Sequence, residues 1–209
     1  MTKFAAAFSL LLLCAAAVER GLAAWTNKED DLVVSLPGFE DNFPSHFQVY
    51  SGYLQVPGPF EQNDYDALSI HYQFHTSQSN TSEKDPVVTW HQGGPGGSSI
   101  AVGLYTEMGY FITDDHGAYV NEYAWNKVAN MLYIESPTGV GFSYGGDGDD
   151  YLAGDWSTAK DNFKLLQSFF ERFPGLQSND LYLSGESYSG HYIPTLAHLI
   201  VDAEGDDDT

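Results

Sequence analysis

The sequence predicts an α/β fold, a doubly wound and mostly parallel β-sheet that begins with a β-hairpin. Two alternating strand patterns come first, and three short apolar runs follow, each leading towards a helical pattern. A parallel sheet is covered by helices on both faces, so its strands are nearly continuous apolar runs rather than alternating ones. We therefore expect a single folded unit over residues 24–209, since no internal repeat or low-complexity linker interrupts this order.

Residues 1–23 have the pattern of a secretory signal peptide. Lys3 gives a positively charged start, and an apolar run over residues 4–18 is followed by small residues. The run is too short for a membrane-spanning helix. We expect cleavage after Ala23, which would also remove Cys14, the only cysteine. The mature protein would then lack disulfides and travel through the secretory pathway, to the extracellular space or to a vacuole or lysosome.

The composition narrows the class of protein. A formal net charge of −21 argues against nucleic-acid binding, which needs a basic surface. A hydrophobic content of 43% predicts a packed core rather than disorder. We expect neither nucleic acid nor a membrane as a partner. Asn80 begins an Asn-Thr-Ser sequon in a polar stretch, which predicts an N-glycan there.

The two alternating patterns predict the hairpin. Residues 47–56 form one strand with a bend, and residues 67–75 alternate strictly as its partner. His71, Gln73 and His75 share one face of the second strand. Two histidines at this spacing could bind a metal, but no third ligand is nearby. We therefore expect a solvated strand face and no metal site.

A glycine-rich turn follows the first apolar run. The run at 86–91 leads into Gln-Gly-Gly-Pro-Gly-Gly-Ser-Ser at 92–99, and a helical pattern covers residues 100–108. Such a turn brings several backbone N–H groups into one small volume, which suits a phosphate or the oxyanion of an acyl-transfer intermediate. A phosphate site would need a lysine at the helix start, and there is none. The turn therefore favours an oxyanion hole.

The second run, at 128–135, is followed by a loop and a helix. The acidic segment 145–150 lacks the ligand pattern of a calcium loop, so we expect a solvated loop. Residues 156–173 then predict an amphipathic helix. Five residues at helical spacing should form its buried face: Trp156, Ala159, Phe163, Leu166 and Phe170.

The third run, at 181–183, enters a strand–turn–helix segment, the setting that exposes a nucleophilic serine. Ser187 would lie at the top of the turn. Small residues should be needed on both sides, here Gly185, Ser189 and Gly190, because strand and helix approach closely. The usual motif places a glycine one position earlier. On this segment alone, an ordinary turn with a surface serine remains an alternative.

Three segments together resemble the serine carboxypeptidase family, exopeptidases of the α/β-hydrolase fold. They are Trp-x-x-Gly-Gly-Pro-Gly-x-Ser-Ser at 90–99, Glu-Ser-Pro-x-Gly-x-Gly-Phe-Ser-Tyr at 135–144 and Gly-Glu-Ser-Tyr-Ser-Gly-His-Tyr-Ile-Pro at 185–194. The resemblance extends from about Ser51 to the last residues. It implies that Ser187 attacks the scissile carbonyl without a cofactor, and that the N–H groups of Gly94 and Tyr188 hold the oxyanion.

The resemblance also implies a site for the free C-terminal carboxylate of a peptide. It assigns this role to Gln92, Gly93 and Glu186. Because two ionised carboxylates repel, we expect tighter binding at acidic pH and a loss as Glu186 ionises. The sequence has Gln92 where the family usually has Asn, which changes the reach of the amide. It also has Gly97 where a disulfide cysteine is common.

The resemblance places the triad Asp and His far downstream of the nucleophile, whereas the sequence ends at Thr209. His191 shares a helix face with Ser187, and we interpret it as a helix residue rather than the base. We therefore expect the N-terminal part of a serine carboxypeptidase domain, which would be inactive without the half that carries the triad Asp and His. We expect the domain to be incomplete at its C-terminus, because the strand that begins at Leu181 would otherwise be an open edge. Two alternatives are a non-catalytic binding or chaperone-like module, and an acyltransferase on the same scaffold.

Overall fold

The computed structural model describes residues 2–4, 27–57, 67–146 and 152–205. The expected signal peptide and its cleavage site lie outside these residues, apart from the backbone of Thr2–Phe4. The expected acidic loop likewise lies outside them, apart from its first two residues.

A mixed eight-stranded sheet forms the centre of the fold, in the order β1-β10-β5-β8-β4-β3-β2, with β9 paired to β4. A separate hairpin consists of β6 and β7. The strands are β1 Thr2–Phe4, β2 Leu32–Val33, β3 Val49–Pro57, β4 Ala67–His75, β5 Val87–His91, β6 Phe111–Asp114, β7 Gly117–Val120, β8 Asn130–Ile134, β9 Tyr144–Gly145 and β10 Leu181–Gly185.

Strand direction changes across this sheet. The three strands β8, β5 and β10 run parallel, and Val87 of β5 lies opposite both Asn130 and Leu181. The expected hairpin is confirmed as β3 and β4, which pair antiparallel from Val49 opposite His75 to the other end of both strands. β4 also joins the parallel strands through an antiparallel pairing with β8. The predicted α/β fold class is therefore confirmed.

Helices cover both faces of the sheet. On one face α1 (Asp155–Arg172) and α2 (Ser189–Gly205) pack on the main apolar cluster, which includes side chains of all the long strands. On the other face a π-helix, Ser99–Met108, packs on β5 and β8. A helix was expected after the glycine-rich turn, but its i→i+5 form was not. Helices of this kind are rare and often lie at functional sites.

The predicted buried face of α1 is wrong at its first residue. Trp156 is 52% exposed, and its ring lies edge-on to His198 of α2 at 5.8 Å. Trp156 lies in the first turn of α1 and faces the neighbouring helix instead of the sheet. The other four positions follow the expected periodicity: Ala159, Leu166 and Phe170 are buried, and Phe163 packs against the same cluster.

The expectation of a solvated histidine face on β4 is also wrong. His71 and His75 are 7% and 0% exposed, and Gln73 is half-buried. The rings of Phe47, Phe111 and Tyr133 surround His75. Burial lowers the pKa of His71 to about 4 and that of His75 to about 3. The alternating pattern was correct, but both faces of this strand are covered.

Neither a metal-binding cluster nor a membrane-spanning helix occurs among the described residues. Those residues contain no group of three His, Cys, Asp or Glu side chains that could hold a metal ion. Among them, no helix is both long and apolar enough to cross a membrane.

Candidate active site

Ser187 lies in the turn that joins β10 to α2, with φ at +56°. Of the residues that the structure describes, it is the only one other than glycine with a positive φ. This conformation crowds a side chain and costs roughly 1–2 kcal/mol, and such strain concentrates at functional sites. Two backbone bonds close the turn: the Ser189 N–H donates to the Glu186 carbonyl and the Gly190 N–H to the Ser187 carbonyl, each at 3.0 Å. The Ser187 side chain is exposed at the edge of the sheet.

The glycine-rich turn lies directly against Ser187. A Cβ on Gly93 would lie 2.7 Å from the Glu186 carbonyl oxygen, 2.7 Å from the Tyr188 nitrogen and 2.8 Å from the Ser187 Cβ. Real Cβ atoms are essentially never this close to backbone atoms. Gly93 therefore allows the two turns to touch.

Glycine is required on one side of Ser187 but not on the other. A Cβ on Gly185 would clash with the His91 carbonyl oxygen and with Ser189. At Gly190 a Cβ would meet no heavy atom within 4 Å. The expectation of a small residue is thus supported at Gly185, whereas at Gly190 it is wrong because the first turn of α2 faces open space.

A chain of hydrogen bonds leads from β5 to the turn of Ser187. The Trp90 indole N–H donates to Gln92 Oε1 at 3.0 Å, and Gln92 Nε2 donates to Glu186 Oε1 at 2.6 Å. Gln92 is buried, whereas Glu186 is exposed. The amide of Gln92 is thereby fixed in orientation, because its oxygen accepts one hydrogen bond while its nitrogen donates another.

Glu107 of the π-helix belongs to the same region, although the sequence did not single it out. Burial and the charge of Glu186 both raise its pKa above the ordinary value. The charge of Glu186 thus acts on Glu107, and both side chains are exposed. The signal in the sequence was an acidic residue near the end of the helix that the glycine-rich turn begins. The direction of the Glu107 side chain depends on the i→i+5 geometry of the π-helix, which the hydrophobic periodicity of the sequence does not reveal.

Glu135 holds the start of the π-helix. Its side chain is 1% exposed and accepts hydrogen bonds from Ser98 Oγ at 2.7 Å and from the Ile100 N–H at 3.2 Å. A Cβ on Gly141 would coincide with one of its carboxylate oxygens. The segments 90–99 and 135–144 are thus bound to each other, and Glu135 fixes the shape of the glycine-rich turn rather than facing a substrate.

A pocket of about 420 Å³ lies beside the nucleophile turn, where Tyr188 meets the first residues of α1 and α2. The hydroxyl of Tyr188 donates to Asp155 Oδ1 at 3.0 Å along its wall. The pocket is lined by Pro95, Gly96, Pro137, Thr138, Ala153, Gly154, Asp155, Thr158, Tyr188 and Tyr192. The wall of this pocket therefore combines aromatic and small residues with the carboxylate of Asp155.

Comparison with known proteins identifies the family of this chain. The sequence model of the serine carboxypeptidase family matches residues 37–209. The chain belongs to the serine carboxypeptidase family. It is 45% identical to the lysosomal protective protein of Mus musculus over 194 residues, which is 92% of this chain and 38% of that protein. It is 44% identical to serine carboxypeptidase-like 35 of Arabidopsis thaliana, over 84% of this chain and 35% of that one.

A solved structure supports the same assignment. The prohormone-processing carboxypeptidase Kex1 of Saccharomyces cerevisiae is similar with a TM-score of 0.70 and 30% identity. The match covers 84% of this chain and 39% of that structure. The chain thus spans little more than a third of the length of these serine carboxypeptidase relatives.

A serine carboxypeptidase needs a histidine base beside its serine, and the described residues place none there. His191 is exposed and stacks on Tyr188 with ring centroids 4.7 Å apart. His198 pairs with Asp202 at 3.3 Å, with both side chains exposed. It lies eleven residues beyond Ser187, roughly 16 Å along the helix at 1.5 Å per residue. Among the described residues, neither histidine forms a hydrogen bond with Ser187.

Proposed function

We propose that this chain carries the nucleophile and the oxyanion hole of a serine carboxypeptidase, which hydrolyses the C-terminal peptide bond of its substrate. The observation that carries the proposal is the strained turn of Ser187 packed against the backbone of Gly93. Ser187 Oγ attacks the scissile carbonyl and forms an acyl-enzyme, which water then hydrolyses. The N–H groups of Gly94 and Tyr188 stabilise the oxyanion, and the loss of one such donor costs roughly two to three powers of ten in rate.

The surface around Gln92, Gly93, Glu186 and Glu107 is the proposed site for the free carboxylate of the substrate, and we call it the carboxylate recess. Gln92 Nε2, held at 2.6 Å from Glu186, is available as a donor at the end of the hydrogen-bond chain. Gly93 lets the substrate approach the backbone closely. Ionised carboxylates repel each other, so Glu107 and Glu186 can bind the substrate carboxylate only if protons are shared among these three carboxyl groups. The raised pKa of Glu107 supports such sharing at mildly acidic pH.

The 420 Å³ pocket is the proposed site for the acyl part of the peptide. It lies on the α1 and α2 side of Ser187, whereas the carboxylate recess lies on the π-helix side. A peptide crossing the edge of the sheet would then place its last residue over the π-helix and the preceding residue against Tyr188. This polarity matches an enzyme that removes one residue from a C-terminus.

The triad acid and base are proposed to come from a C-terminal half, in the same or a separate chain, that packs beside β10. In the structure β1 pairs antiparallel with this strand, from Thr2 opposite Leu183 to Phe4 opposite Leu181. β1 lies within the expected signal peptide. Cleavage after Ala23 would remove it and free that edge of β10 for further strands, since an exposed strand edge readily pairs with another.

We also propose that the protein matures in the secretory pathway. The apolar N-terminal segment supports this location, and one relative is named a lysosomal protein. Asn80 lies exposed in a turn before the short helix Ser82–Lys84, where a glycan would meet no steric obstacle in the described residues. Glycosidase treatment of the native protein, compared with an Asn80→Gln variant, tests this site.

Labelling with a fluorophosphonate tests the catalytic proposal. We expect the native protein to be labelled on Ser187, in a species larger than the 23.0 kDa of this chain or in a tight complex. Ser187→Ala should abolish the label, whereas Ser178→Ala, at an exposed turn, should retain it. An unlabelled native species near the mass of this chain would overturn the proposal and leave a binding module. Peptide substrates with free and amidated C-termini, offered with water or an alcohol acceptor, separate a carboxypeptidase from an acyltransferase.

A further inference from the structure

Tyr188 is held at both ends. Its backbone nitrogen lies where a Cβ on Gly93 would be only 2.7 Å away. At the other end, its hydroxyl donates to Asp155 Oδ1 at 3.0 Å. Its ring packs between two residues of α2, with centroids 4.7 Å from His191 and 5.3 Å from Tyr192. The side chain therefore connects the nucleophile turn to the N-terminus of α1.

The direction of the Tyr188 N–H depends on a backbone that is strained. This N–H belongs to the peptide that directly follows Ser187, whose φ is +56°. A strained conformation persists only when the surrounding structure fixes it. On the sheet side, the conformation of Ser187 is fixed by the backbone hydrogen bonds of the turn and by the contact with Gly93. From the helix side, the described contacts of the Tyr188 side chain are those with Asp155 and the two rings.

We propose that Asp155 is a positioning residue of the oxyanion hole, which it orients by holding the hydroxyl of Tyr188. The proposal rests on the proposed function, because it requires that the Tyr188 N–H binds the oxyanion. Asp155 touches neither the nucleophile nor the reacting carbonyl. It acts through the Tyr188 side chain, which transmits the position of α1 to the N–H group beside Ser187.

The electrostatic setting supports a lasting bond between these two groups. Asp155 is the first residue of α1, where the helix dipole stabilises a negative charge. The hydrogen bond to Asp155, followed by burial and the charge of Asp155, raises the pKa of Tyr188 above 10.0. The pKa of Tyr192 is raised too, chiefly by burial, with Asp155 a smaller contributor. Both phenols therefore remain protonated, and the Tyr188 hydroxyl remains a donor to Asp155 over the physiological range of pH.

Kinetics of the native, full-length gene product test the positioning role. We expect Asp155→Ala and Tyr188→Phe each to lower kcat about tenfold, a part of the loss caused by removing a whole oxyanion donor. KM should change less than kcat, because the lost bond acts on the N–H group that binds the oxyanion, and Tyr188→Phe keeps the ring that lines the proposed acyl pocket. Asp155→Asn should retain activity near the wild-type level, since the amide oxygen can still accept the hydrogen bond. The double variant should lose no more than either single variant, as residues acting through one bond do.

Two controls separate positioning from a structural role. Glu171→Ala removes an exposed carboxylate from the last turn of the same helix and should leave kcat unchanged. Fluorophosphonate titration counts the competent sites in each variant, so kcat refers to folded protein only. A per-site kcat for Asp155→Ala equal to wild type would overturn the positioning role, as would equal losses in Asp155→Asn and Asp155→Ala. A wild-type protein that takes no label would instead overturn the proposed function, and the positioning role with it.

Discussion

Gly93 is the residue at which the glycine-rich turn and the turn of Ser187 meet, so a single methyl group there should disturb both turns. In Gly93→Ala the new Cβ would lie 2.7 Å from two backbone atoms of residues 186 and 188, which cannot rotate away. The turn of Ser187 must shift, and a shift of about 1 Å costs on the order of 100-fold in rate. Fluorophosphonate labelling of the native protein measures this loss. Gly190→Ala is the matched control, because its Cβ meets open space on a helix. Normal labelling of Gly93→Ala would contradict the described contact.

Glu107 should make peptide binding depend on pH. Its pKa lies above the ordinary 4.5, because burial and then the charge of Glu186 disfavour its ionised form. A proton on Glu107 can be donated to the substrate carboxylate, so binding is tight at acidic pH and weakens as pH rises through this raised pKa. As pH rises through this raised pKa we expect KM to increase about tenfold in all, through repulsion between like charges.

Glu107→Gln tests this dependence, since its amide donates a hydrogen bond at every pH. The variant should give a flatter profile of KM against pH than the wild type. Glu122→Gln, at an exposed position near β7, is the control and should keep the wild-type profile. An unchanged slope in Glu107→Gln would show that the pH dependence arises at another group.

The contrast between Ser187 and Glu107 shows which residues a sequence can reveal. Ser187 lies within a local strand–turn–helix pattern, and Gln92 and Glu186 adjoin recognisable turns, so sequence alone could locate them. The direction of the Glu107 side chain depends on the i→i+5 path of the π-helix, and its proximity to Glu186 depends on sheet pairing. Asp155 was missed for the same reason, because the packing of α1 beside α2 brings it to Tyr188.

The α1 helix is fixed to β3 by donors spaced one helical turn apart. Side chains of Lys164, Ser168 and Arg172 donate to the carbonyls of residues 57, 55 and 53, at 2.8, 2.7 and 2.9 Å. One turn of helix, about 5.4 Å, nearly matches two residues of strand, about 6.7 Å, so alternate carbonyls meet successive turns. The apolar periodicity predicted this helix, but these polar contacts could not be predicted because they require the partner strand.

Arg172 also forms a salt bridge that holds the N-terminal segment to this layer. Its guanidinium lies 2.5 Å from Asp31, which accepts a further hydrogen bond from Tyr72 at 2.7 Å. Asp31→Ala would remove the carboxylate that joins Arg172 to Tyr72, and breaking such a largely buried pair costs roughly 3 kcal/mol of the free energy of unfolding. Urea denaturation measures this loss. Asp30→Ala, at the exposed neighbouring position, should change the stability by less than about 0.5 kcal/mol. Equal stabilities of the two variants would contradict the described role of this salt bridge.

The elements themselves were predicted with different success. The hairpin β3–β4, the strands β5, β8 and β10 and the helices α1 and α2 follow from apolar patterns, because each buries one face or both. The small hairpin β6–β7 was not predicted. Its second strand is largely exposed, so no period marks it. The burial of the β4 histidines was missed because an alternating pattern does not show whether its polar face is covered.

Burial of neutral histidines throughout the sheet should make the whole molecule sensitive to acid. Desolvation lowers the pKa of His71 and His91 to about 4 and that of His75 to about 3. In the unfolded chain each would titrate near 6.5. The unfolded state therefore binds more protons than the folded state between these values. The stabilisation is fully present above about pH 6.5 and is lost as pH falls towards 4.

Urea denaturation as a function of pH can measure this loss for the molecule as a whole. Near pH 5 the three histidines should together reduce the free energy of unfolding by about 4 kcal/mol per pH unit, at about 1.4 kcal/mol for each. His75→Phe keeps an aromatic ring among Phe47, Phe111 and Tyr133 but cannot bind a proton, so its slope should be smaller by one histidine's share. His116→Gln, in the exposed β6–β7 turn, should retain the wild-type slope. If His75→Phe also retains it, the proton taken up on acid unfolding binds elsewhere. If the slope falls as expected, protonation of buried histidines lowers the free energy of unfolding at acidic pH. A family member that acts in an acidic compartment must then gain compensating stability outside this sheet.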